Sequence, residues 1–107
     1  THPVFKSLLQ KMDQLELRLV DQVVENTSYA AIHEAALNGV LDLLLEHELV
    51  KGERSSLLEQ EIPQLFFPHG VGHLIGLQVH DVGGFLKNDQ GETEPPRQSN
   101  RYLRLTR

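Results

Sequence analysis

Residues 62–85 constrain this chain more than any other stretch, because they exclude the kind of structure that the first fifty residues favour. Pro63, Pro68, Gly70, Gly72, Gly76, Gly83 and Gly84 all fall within them. Proline removes a backbone donor and clashes with the preceding helical turn, and each interior glycine costs a helix about 1 kcal/mol. Breakers at this density predict no helix from Ile62 onward. Leu74, Ile75, Leu77 and Val79 read instead as short extended pieces.

Ahead of that segment the pattern is helical. Val4, Phe5, Leu8, Leu9, Met12, Leu15, Leu19, Val20 and Val23 recur at three- and four-residue steps, with Lys6, Lys11, Asp13, Glu16, Arg18 and Asp21 largely between them. One apolar stripe of this kind predicts an amphipathic helix over about 3–25, with Pro3 in its first turn. A second stripe, Ile32, Ala36, Leu37, Val40, Leu41, Leu44 and Leu45, predicts a helix over about 28–50. Thr27 or Ser28 is its expected hydroxyl cap and Gly52 its stop. Residues 53–61 are charged and polar, a loop or a further short helical turn. Beyond the histidine–glycine segment at 65–86, residues 87–100 contain Pro95 and Pro96 and read as a polar loop. Strand-like alternation resumes over 101–107.

The formal net charge of −5 offers no basic face for nucleic acid and no attraction to an anionic membrane. No apolar run approaches the ~18–20 residues of a membrane span, and the N-terminus lacks a signal-peptide layout, so a cytoplasmic protein is expected. There is no cysteine, which excludes a disulfide framework, a thiolate metal site and a cysteine nucleophile. The chain opens on Thr1-His2-Pro3 without methionine and closes in the middle of a strand-like alternation. A piece of a longer chain is the expectation.

The residues suited to chemistry lie between 68 and 84, where His69, His73 and His80 alternate with glycines. Imidazole is the commonest neutral metal ligand and the usual proton carrier near neutral pH, and glycine lets backbone approach a ligand closely. On a helix His69 and His73 would share a face, but Gly70 and Gly72 oppose a helix there. In an extended chain their Cα atoms lie roughly 13 Å apart, too far to share an ion easily. His80 stands an odd number of residues from His73, so strict alternation turns it to the other face unless a bulge at Gly76 returns it. One histidine as ligand with two flanking groups is the economical arrangement. Histidines beside glycines also occur in structural turns. The nearby acids are Asp81, Asp89, Glu92 and Glu94, and residues 1–60 hold acids on ordinary helical faces, so further carboxylate ligands are expected elsewhere. His33, next to Ile32, reads as a structural or surface histidine, and His2 and His47 have no constellation around them.

The run His69-Gly70-Val71-Gly72-His73-Leu74-Ile75-Gly76-Leu77-Gln78-Val79-His80-Asp81 resembles the histidine–glycine signature of bacterial prolidases, the Xaa-Pro dipeptidases of the pita-bread metallopeptidase superfamily. Phe66-Phe67-Pro68, Val82-Gly83-Gly84-Phe85 and the tail from Tyr102 to Arg107 are similar to the same proteins. The resemblance implies the α/β (α+β) class: part of a pita-bread catalytic domain, two helices packed on strands of a curved, mostly antiparallel sheet. It implies two divalent metal ions, manganese above cobalt or zinc, held by two aspartates, a histidine and two glutamates. Of these only the histidine, His73, is present in the 107 residues. His69 and His80 would act on substrate as catalytic groups, His80 also binding it, and Arg104 would receive the carboxylate of the C-terminal proline. The parent would be a homodimer cleaving Xaa-Pro dipeptides, with the 107 residues alone inactive and unable to hold the metals. Aminopeptidase P is a second reading within the superfamily. A non-catalytic peptide- or protein-binding module is a third, and a free-standing histidine-rich protein that binds metal between copies a fourth.

Overall fold

The computed structural model describes residues 2–72, 77, 88 and 90–92. Helix α1 spans Pro3–Asp21, α2 Tyr29–Glu46, α3 Arg54–Glu59 and α4 Ile62–Phe66.

The two long helices follow the apolar periodicity, and each stops about four residues before the end expected for it, at Asp21 and Glu46. At the end of α1 the amides of Gln22 and Val23 turn back to the carbonyls of Leu19 and Val20, 3.1 and 3.0 Å away. Three-residue bonds of this kind tighten and close the last turn. Thr27 then donates to the Val24 carbonyl at 3.1 Å, around Asn26 at φ 66°. Asparagine tolerates that left-handed position better than most residues. The end of α2 is a Schellman arrangement. Leu49 donates to Leu44 at 2.9 Å and Glu48 to Leu45 at 3.1 Å, with Glu48 itself left-handed at φ 56°. Glutamate thus occupies the place glycine usually takes. Gly52 lies beyond this stop, at φ 139°.

The beginning of α1 is capped from an unexpected side chain, for His2 Nδ1 accepts the Val4 amide at 3.2 Å. Ser28 caps α2 by backbone conformation alone, without a side-chain bond.

The core lies where α2 meets its neighbours, and consists of Leu15, Ile32, Ala36, Leu41, Leu43, Leu44 and Leu57. Helix α1 comes close to α2 at Gly39. A Cβ built there would stand 2.4 Å from Leu15 Cδ1, inside the distance real contacts reach. Absence of a side chain at Gly39 is what lets Leu15 seat against the α2 backbone. Lys11 and Glu46 pair across the same interface, and His47 closes its end. A carbonyl can only accept, so His47 donates from Nδ1 to Leu43 O at 2.8 Å. Nε2 faces Ser7 Oγ at 3.4 Å. At the other flank Arg54, the first residue of α3, donates to Asp42 Oδ1 at 2.7 Å and to Asn38 Oδ1 at 2.6 Å. These acceptors stand one turn apart on α2.

Two expectations are corrected. The α/β class, with both long helices laid on a curved antiparallel sheet, is not what the described residues form: they are helical and contain no strand. The apolar surface of α2 is covered by other helices, α1 and α4, with Leu15 of α1 and Pro63 of α4 both buried. The exclusion of helix from Ile62 onward also fails at its first residues. Pro63 sits in the opening turn of α4, where its missing N–H has no intrahelical acceptor to lose. The extended pieces expected at 74–79 (Leu77 apart) and the strand at 101–107 lie outside the described residues. None of the described helices is long and apolar enough to cross a membrane.

Candidate functional site

The site is built from the first turn of α2 outward. Tyr29 is its first residue, so its ring reaches past the helix end toward the segment that follows α4. Its hydroxyl makes two hydrogen bonds to one residue. It donates to the Gly72 carbonyl at 2.6 Å and accepts the Gly72 amide at 3.0 Å. A phenol can do both at once because it carries one proton and two lone pairs. One helical turn later His33 lies against Phe67, ring centroids 6.1 Å apart and planes inclined at 32°. Residues four apart share a helix face. The same side of α2 therefore holds the chain at Phe67 and again at Gly72, and the segment between them contains His69.

Gly70 lies within this grip. A Cβ built on it would meet the Tyr29 hydroxyl at 2.7 Å. Gly70 is also absent from the left-handed glycines, which among the described residues are Gly52 and Gly91. Space, rather than backbone conformation, accounts for glycine here. His69 itself is exposed. Two side-chain atoms, His33 Nδ1 and Gln64 Oε1, are buried without a hydrogen-bond partner among the described residues. His33 is thus a packed histidine beside a phenylalanine, in keeping with a structural role.

His73, His80 and Arg104 lie outside the described residues. Gly72 is the residue immediately before His73 in sequence. Among the described residues no three histidine, aspartate or glutamate side chains converge as a metal site would require. Sequence reasoning did not find Tyr29 as part of the site, since it lies 43 residues from its partner. The one signal available was a bulky hydrogen-bonding aromatic at a helix start.

The chain matches the model of metallopeptidase family M24 over residues 2–102. It therefore belongs to that family, whose members use divalent metal ions. Curated relatives carry the name Xaa-Pro dipeptidase. That of Shewanella loihica is 40% identical over 104 residues, 97% of this chain and 24% of the relative. Those of Shewanella amazonensis and Shewanella sediminis are 39% and 38% identical, with the same shares covered. The chain thus spans about a quarter of the length of these relatives.

Proposed function

We propose that the full-length protein containing these residues hydrolyses Xaa-Pro dipeptides, using two divalent metal ions with manganese preferred. The observation that carries this reading is the run from His69 to Asp81, complete in a chain 40% identical to an Xaa-Pro dipeptidase over 97% of its length. When bound, the ions supply Lewis-acid activation of water and of the scissile carbonyl. The described residues contribute no ligand cluster of their own, and the reading assigns one ligand, His73, beyond them.

The remaining assignments concern this chain's own side chains. His69 and His80 contact the substrate, and an imidazole at either position can hold or pass a proton near neutral pH. Arg104 binds the free carboxylate of the C-terminal proline, for which a planar guanidinium fork is suited. The protein acts in the cytoplasm as a homodimer. Residues 1–107 alone supply a single ligand and are inactive.

The test is Gly-Pro hydrolysis by the full-length protein, with and without manganese, beside the 107-residue segment. Manganese-dependent turnover that His73→Ala abolishes, with none from the segment, is the expected result. Arg104→Ala is expected to raise KM more than it lowers kcat. Absence of hydrolysis by the metal-loaded full-length protein would overturn the reading.

A further inference from the structure

Tyr29 belongs to a different element from the histidine–glycine run, and no chemistry requires a tyrosine at the start of α2. Three observations nevertheless converge on this residue. It donates to and accepts from the main chain of Gly72. It also fills the volume that a side chain at position 70 would need. Finally, it lies on the same α2 face as His33, which packs on Phe67.

We propose that Tyr29 is a positioning residue for the loop that carries His69 and leads into His73, and that its hydroxyl is the reason position 70 must be glycine. The catalytic half of this inference rests on the hydrolase reading above. The geometry makes the dependence specific. Beyond the hydroxyl at 2.7 Å, the next atoms a Cβ at residue 70 would meet are the Gly72 carbonyl oxygen at 3.8 Å and Tyr29 Cζ at 3.9 Å. Both are ordinary van der Waals contacts. Removing the hydroxyl therefore makes room for alanine, and the two substitutions must be coupled with a definite sign. Tyr29→Phe alone loses two hydrogen bonds and keeps the ring. Gly70→Ala alone drives a methyl group into the phenol and displaces the loop. With both changes the methyl group occupies the vacated space.

The experiment is a double-mutant cycle in the full-length protein, read as Gly-Pro kinetics at saturating manganese and as Tm. Tyr29→Phe is expected to lower kcat about tenfold with KM nearly unchanged, because misplaced reacting groups cost turnover more than binding. Gly70→Ala is expected to lower kcat on the order of a hundredfold. The double variant should recover to the level of Tyr29→Phe alone, a rescue that general destabilisation would not produce. Losses that multiply in the double variant, or a Tyr29→Phe protein with wild-type kcat, would overturn the proposal. If the wild type cleaves no Gly-Pro, the hydrolase reading fails by itself and the same cycle is judged on Tm. A double variant melting with Tyr29→Phe then supports the clamp, and summed shifts overturn it.

Discussion

Helices α1 and α2 are 19 and 18 residues long and both carry an apolar repeat, yet they sit in the molecule differently. Helix α2 buries Ile32, Ala36, Leu41, Leu43 and Leu44, and α1 buries Leu15 alone. Of the other apolar residues of α1 only Leu8 and Leu19 are half-buried, and Val4, Phe5, Leu9, Met12 and Val20 stay exposed. The difference lies in their neighbours. Helix α2 packs against both α1 and α4, and α3 packs on α4, whereas of these helices α1 meets α2 alone. Periodicity reports which side of a helix is apolar. What covers that side is decided by tertiary packing, and two similar stripes can meet unlike fates.

The sharpest way to break this comparison is to truncate a leucine on each helix. Leu41 is fully buried, and Leu41→Ala is expected to cost about 3 kcal/mol in urea unfolding. Leu9 is 45% exposed, and Leu9→Ala should cost less than about 1 kcal/mol. Equal losses would mean that α1 is packed as tightly as α2. Next in size is Gly39→Ala at the point where the helices touch. Its methyl group would collide with Leu15, costing about 2 kcal/mol by the same assay despite alanine's better helix propensity. A stabilising result would show that Leu15 can move aside freely. A smaller effect of opposite sign is expected of Glu48→Gly, which relieves a left-handed glutamate at the α2 stop and should raise stability by about 1 kcal/mol. The smallest belongs to the Lys11–Glu46 pair, whose side chains are 38% and 51% exposed. Lys11→Met should change stability by about 0.5 kcal/mol or less, and any loss should shrink in added salt.

The existence of α1 and α2 was legible because three- and four-residue spacing is a direct image of helical geometry. Their ends were not, because the stops rest on backbone conformations at Gln22, Asn26 and Glu48 that carry no glycine or proline mark. Helix α4 was hidden behind Pro63, which reads as a breaker until its place in the first turn is known. The expected sheet was an inference from resemblance, and the apolar residues of α2 serve a helical neighbour as readily as a strand. At the candidate site, the run of His69 to Asp81 was legible from residue types alone. Tyr29 was not, because hydrogen bonds to main-chain atoms leave no complementary side chain in the sequence to be noticed.

Bonds from a side chain to main-chain atoms can do the work of a sheet ladder. In a sheet, a residue's amide and carbonyl are satisfied by the main chain of a neighbour. At Gly72 one phenol oxygen meets both needs, so a side chain does there what a strand's main chain does in a sheet. The loop is thereby tied at a single point to the mouth of a helix, and its satisfaction travels with α2.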